Sequence, residues 1–188
     1  IDGTLTNSSN APLTVTFTVT PRLAGCTNGT AVQTTVIVEP TVAVTAVGET
    51  ICSGTDTDID VNTLFSGTNG VRYTWTVSDP SGLGATNGPA AVQFSDNIQQ
   101  TLTNDTHTNP RMVTYTIHGF TIDGLGAEQC AGPSIDVEVW VEPEVEVTAS
   151  GQTICSEQST SIDVNTSYSG TNGVLYRWTV NDPDGLGA

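Results

Sequence analysis

Four cysteines, two histidines, a set of closely spaced carboxylates and one unusually placed tryptophan are the residues of this chain with chemistry to offer. The cysteines are Cys26, Cys52, Cys130 and Cys155. Neither a C-x-x-C pair nor a nearby Cys–His pair accompanies them, so zinc ligation fits poorly and disulfide chemistry fits better. Disulfides persist in oxidising compartments, which points outside the cytoplasm. His107 and His118 have no G-x-S-x-G elbow or H-E-x-x-H helix to work with, and no phosphate-binding glycine loop is present. Both histidines are expected to be solvated loop or strand-end groups, with no catalytic residue, no enzyme activity and no cofactor. Asp56, Asp58 and Asp60 alternate and would share one strand face, and Glu142, Glu144 and Glu146 straddle a boundary farther on. Oxygen ligands so placed are weak candidates for calcium; the plainer expectation is a solvated face and no metal.

An internal repeat organises these residues. Residues 144–188 match residues 41–85 at 31 of 45 positions without a gap, at a spacing of 103. A looser echo, which needs gaps, joins residues 1–40 to residues 98–143. Thr4-Leu5-Thr6-Asn7 matches Thr101-Leu102-Thr103-Asn104, Cys26 matches Cys130, and Val38-Glu39-Pro40 matches Val141-Glu142-Pro143. The expected organisation is the C-terminal part of one repeat (1–40), a complete repeat (41–143) and the N-terminal part of a further one (144–188). The chain then reads as part of a longer array. An alternative is a polymer in which the tail of one chain and the head of another complete a domain.

The repeat also weighs the candidate sites. Asp56 and Asp58 become Ser159 and Ser161, and Glu144 and Glu146 stand where Thr41 and Ala43 do, so calcium at every repeat is not expected. Thr20 takes the place of His118. The complete repeat contains Cys52 and Cys130, expected to pair and close most of the domain, a loop worth roughly 4–5 kcal/mol in the chain-entropy account. Cys26 and Cys155 would find partners beyond this stretch or in a neighbouring chain.

Period-two alternation places strands at Val42/Val44, Ile59/Val61, Val71–Val77, Val92/Phe94, Ile98/Leu102, Val113/Tyr115/Ile117 and Val137/Val139/Val141. About seven short, half-apolar strands in a hundred residues predict an all-β, two-sheet sandwich in each repeat. Threonine, present 33 times, suits such strands. Asp79-Pro80-Ser81-Gly82 and Asp182-Pro183-Asp184-Gly185 predict type I turns, and Ser66–Gly70 recurs unchanged as Ser169–Gly173, with Asn-Gly supplying positive φ. The stretch from Gly119 to Gln129 is longer than its counterpart and is expected to form a protruding loop. On the last strand Trp140 alternates away from the buried valines, and Ile37 holds that place in the first piece. Both are candidate contact residues, for a ligand or for a neighbouring domain.

Charge excludes some partners. Twenty acidic residues against four arginines and no lysine give a net charge of -16, which disfavours nucleic acid and anionic membrane surfaces. No apolar run is long enough to span a bilayer. Without lysine, Lys–Asn isopeptide cross-links cannot form. Asn7, Asn28, Asn104 and Asn165 head Asn-x-Ser/Thr sequons. Val-Glu-Pro passes directly into the next repeat with no Gly/Ser spacer, predicting semi-rigid stacking.

The motifs T-I-C-S-G, Y-T-W-T-V, T-L-T-N, V-T-Y-T-I, C-x-G-P and V-x-V-x-P together resemble the PKD-like domains of Bacteroidetes surface proteins, including tandem modules of secreted gliding-motility-type giant adhesins. The resemblance implies an Ig-like sandwich with Trp75 in the core beside a Cys52–Cys130 bridge. It also implies a secreted, cell-surface adhesive or structural segment whose partners are neighbouring repeats or like chains, possible surface glycans included. A carbohydrate-binding or spacer module of a secreted hydrolase is the alternative.

Overall fold

The computed structural model describes residues 1–26, 29–170, 172–182 and 185. Asn28, Thr171 of the second Ser-Gly-Thr-Asn-Gly loop, and Pro183 and Asp184 of the second predicted turn lie outside them. Among the described residues there are ten strands and no helix. β1 (Leu13–Val19) and β2 (Val32–Val38) form a hairpin in the first piece. The complete repeat holds β3 (Glu49–Cys52), β4 (Thr55–Asp56), β5 (Val71–Ser78), β6 (Thr101–Leu102), β7 (Arg111–Ile122) and β8 (Glu128–Glu142). β9 (Val147–Ala149) pairs with β10 (Val164–Thr166) in the third piece. Among the described residues no hydrogen-bonded sheet crosses from one piece to the next.

The complete repeat is a sandwich of two layers. One is a four-stranded sheet in the order β3-β8-β7-β5, antiparallel except where β3 runs parallel to β8. The other is built from short segments: β4 pairs with β6, Ile59 bridges Ile98 and Thr45 bridges Asn62. Alternation sends Val42, Val44, Ile59, Val61, Tyr73, Trp75, Ile98, Leu102, Val113, Tyr115, Ile117, Val137, Val139 and Val141 into one shared core, as the sequence pattern predicts. Tyr73 and Tyr115 bring hydroxyls inside, and each finds a partner. Tyr73 donates to the Asp96 carbonyl and Tyr115 to Gln100 Oε1 at 3.0 Å. Burial pushes both phenols up to about 12.

The segment at Val42–Val44, ahead of β3, passes over β7 and β8 at glycines. A Cβ at Gly132 would stand 1.8 Å from the Val42 carbonyl oxygen, and one at Gly119 would stand 2.6 Å from Val44 Cγ1. Gly132→Ala is therefore expected to force the Val42 segment outward and to cost about 1–3 kcal/mol, read as a lower urea midpoint. Gly124→Ala, with open space around it, supplies the control.

The structure corrects the expected loop from Gly119 to Gln129. β7 continues through Ile122, β8 begins at Glu128, and only a short turn joins them, closed by Asp123 N–H to the Ala127 carbonyl at 2.9 Å. Register shifts after His118 and Thr121 re-aim the strand. Phe120, Thr121 and Ile122 are consequently buried in succession. The Asp79 turn forms as expected, with Gly82 N–H on the Asp79 carbonyl at 3.3 Å. Its carboxylate also accepts from the amides of Leu83, Gly84 and Ala85.

Candidate functional site at the junctions between repeats

The Cys52–Cys130 bridge is not formed, and the topology gives the reason. Because β3 runs parallel to β8, Cys52 is carried to the end of the sheet where it faces Glu142. Cys130 lies near the opposite end of the same strand, facing Thr121. The twelve residues between positions 130 and 142 span about 40 Å of extended chain, whereas a disulfide needs Cα atoms roughly 4.4–6.8 Å apart. All four thiols are free; Cys26, Cys52 and Cys155 are exposed and Cys130 is half-buried. Trp75 is buried as expected, its indole N–H donating to the Thr86 carbonyl at 3.1 Å, but no bridge lies beside it.

A serine-to-carbonyl bond recurs at both boundaries between the three pieces, and at each the Val-Glu-Pro glutamate accepts from the following piece through different donors. At the first, Ser66 N–H donates to the Asn10 carbonyl at 2.9 Å, and the Glu39 carboxylate accepts from Thr68 N–H at 3.2 Å. At the second, Ser169 N–H donates to the Thr108 carbonyl at 2.8 Å. The Glu142 carboxylate accepts from Tyr168 Oη at 2.7 Å and from Asn172 Nδ2 at 3.4 Å. The hydrogen bond to Glu142 raises the Tyr168 pKa. In each Val-Glu-Pro the proline is buried and the glutamate half-buried. A buried or half-buried asparagine shapes the surface that receives the next loop. Asn104 Nδ2 donates to the carbonyls of Asn109 and Val141, both at 2.8 Å, and Oδ1 accepts from the amide and hydroxyl of Thr106. Asn7 repeats this with Ala11, Val38 and Ser9. Sequence reasoning reads these asparagines as sequons and misses the clamp, although the twofold T-L-T-N already marks it. With Nδ2 committed to two carbonyls, neither Asn7 nor Asn104 presents an amide for glycan attachment.

His107 adds a titratable group to the second junction. Its Nδ1 lies 2.8 Å from the Glu144 carbonyl and its Nε2 lies 4.0 Å from Glu146. The carbonyl contact, with help from Glu146, Glu144 and Asp105, raises its pKa above 6.5. A raised folded-state pKa gives stabilisation that is complete below the unfolded value and lost as pH rises through the folded one. NMR titration is expected to place His107 above 6.5 and to find Glu144 and Glu146 more ordered on the acid side. His118 sits on β7 with Nε2 3.7 Å from Glu128 and its ring 5.9 Å from that of Phe120. The two histidines lie on different parts of the repeat and do not form a pair.

Asp56, Asp58 and Asp60 do share an exposed face, alternating with buried Thr57 and Ile59. Asp56 accepts from the Thr101 hydroxyl, and Asp58 from Asn97 at 2.8 Å and Gln99 at 3.4 Å, contacts that lower the Asp58 pKa. Among the described residues no group of three or more His, Cys, Asp or Glu is placed to hold a metal ion.

Trp140 lies on the outer face of the four-stranded sheet between Thr50 of β3 and Met112 of β7, and is 43% exposed. With Ala46, Gly48, Glu49, Thr50, Asp136 and Glu138 it lines an open groove of about 530 Å³. Ile37, on β2, is 52% exposed. The two contact candidates thus occupy matching outer faces and do not meet in one site.

Comparison with protein families matches residues 49–145, just over half of the chain, to the PKD-like domain. The matched stretch runs from β3 through β8. Val42 and Val44 lie ahead of it yet are buried in the core. A comparison with curated proteins gives no match. Among the described residues no helix is long and apolar enough to cross a membrane.

Proposed function

Because the chain belongs to the PKD-like domain family, whose members are generally non-catalytic modules of extracellular proteins, we propose that it is a segment of an extracellular bacterial surface fibre or giant adhesin made of tandem repeats. The observation that carries this reading is a contact that recurs at both junctions, Ser66 N–H on the Asn10 carbonyl and Ser169 N–H on the Thr108 carbonyl, with the Val-Glu-Pro glutamate accepting from the following piece at each, Glu39 from Thr68 and Glu142 from Tyr168. Such contacts, with a buried proline and no flexible spacer, make successive repeats stack as a semi-rigid rod. The boundaries at 40/41 and 143/144 are part of the proposal. Its net charge of -16 keeps neighbouring rods apart. Electron microscopy of the reduced native polypeptide is expected to show a linear series of beads; isolated compact particles the size of one or two domains would overturn the reading.

A second reading, a carbohydrate-binding or spacer module of a secreted hydrolase, rests on the groove beside Trp140. It requires a glycan-array signal that Trp140→Ala abolishes. The fibre reading expects no signal from either form.

A further inference from the structure

The tandem reading gives the free cysteines a use. We propose that they staple adjacent repeats to one another: Cys52 bonds the cysteine that the following repeat carries in the position of Cys130, and Cys130 bonds the cysteine that the preceding repeat carries in the position of Cys52. The inference rests on the tandem arrangement of the proposed function.

Each cysteine sits at the end of the repeat that meets a neighbour. Cys52 faces Glu142, and Ser53 N–H donates to the Glu142 carbonyl at 2.8 Å. Glu142 is the residue whose carboxylate receives Tyr168 and Asn172 of the next piece. At the other end, Cys130 faces Thr121, whose side chain abuts Gly67. Gly67 belongs to the loop whose Ser66 and Thr68 bond Asn10 and Glu39 of the preceding piece. Gly132, two residues from Cys130, packs against Val42 just beyond Pro40. Glu39 and Glu142 are equivalent in the repeat, so the position of Cys52 falls beside Glu39 in the first piece, at the junction that Cys130 faces. The two cysteine positions therefore stand across one junction, whereas inside one repeat they lie about 40 Å apart.

This assignment explains why no two of the four cysteines pair within a single straight chain. Cys26 occupies the Cys130 position and looks backward, and Cys155 occupies the Cys52 position and looks forward. Bond formation proceeds by exchange with a protein disulfide of the oxidising compartment. A thiolate of one repeat attacks it to give a mixed disulfide, and the facing thiolate displaces the carrier. The carrier leaves as a dithiol, having taken the two electrons and, in net, the two protons of the stapled thiols.

The test is peptide mapping of the native polypeptide, with thiols blocked before denaturation and no reductant. Cys52 is expected in a linked peptide whose other cysteine precedes the Val-Glu-Pro of another repeat. In a polymer of like chains the same geometry gives Cys52–Cys26 and Cys130–Cys155 links between chains, which also supports the staple. A Cys52–Cys130 link within one repeat, or alkylated Cys52 and Cys130, would overturn it. Either result leaves the bead series seen under reducing conditions untouched, so failure of the staple and failure of the tandem reading are told apart. As a second measurement, reductant is expected to leave the melting temperature of the 188-residue chain at low concentration unchanged; a clear drop overturns the staple by showing an internal bridge.

Discussion

Trp75→Ala lowers the stability of the complete repeat by about 3–5 kcal/mol, while Trp178→Ala, at the same position of the third piece, changes it by less than about 0.5 kcal/mol. Trp75 is 8% exposed, and its ring lies against Tyr73 at a centroid distance of 5.9 Å. Gly88 packs on the ring so closely that a Cβ there would come within 2.5 Å of it. Truncation opens a cavity that this glycine contact cannot collapse, and it removes the indole donor from the Thr86 carbonyl, which keeps the Gln100 side-chain amide at 2.7 Å. Trp178 is 82% exposed, so there is little burial to lose. The pair separates burial from residue type, and urea unfolding monitored by near-UV circular dichroism reads both. Equal effects for the two variants would contradict the core assigned here.

Asn104→Ala is expected to cost about 2–4 kcal/mol, more than its modest volume suggests. Asn104 is 1% exposed, and its side chain satisfies four partners at once. Removing it leaves the Val141 carbonyl without this donor in a buried setting, and each unsatisfied buried group costs roughly 1–3 kcal/mol. The clamp also fixes the Thr106–Asn109 turn that receives Ser169. The variant is therefore expected to broaden the NMR resonances of Tyr168 and Ser169, which do not touch Asn104, as well as to lower the denaturant midpoint. An Asn104→Asp variant keeps the two acceptor interactions with Thr106 but turns a carboxylate oxygen toward the two carbonyls at a buried position, so it is expected to cost at least as much as the alanine.

The strands that were legible in the sequence are those where apolar side chains alternate for at least two full periods. Val71–Val77, Val113–Ile117 and Val137–Val141 all put their apolar face inward as the pattern requires. Alternation failed to extend β7 because a register shift at Gly119 breaks the period, and Phe120-Thr121-Ile122 then reads as a loop while lying in a strand. The parallel pairing of β3 with β8 joins residues about ninety positions apart and leaves no trace in either segment's own pattern. That single pairing decides which end of the sandwich Cys52 occupies, and counting cysteines per repeat cannot reveal it. Asn104 was visible as a repeated letter, but its role depends on carbonyls from two other segments.

The geometry of β8 bears on how a fibre of such repeats answers to pulling. Without staples, a repeat of 103 residues that unravels under tension would lengthen the fibre by roughly 350 Å. With Cys52 and Cys130 held across successive junctions, tension enters a repeat at Cys130 and leaves for the next staple at Cys155, only 25 positions later. Half of that path, residues 130–142, is β8 itself, already drawn out as strand. The remaining residues of each sandwich lie off the line of tension and hold no slack that pulling can release. A chain whose individual domains are only marginally stable would in this way behave as a tether of nearly fixed length.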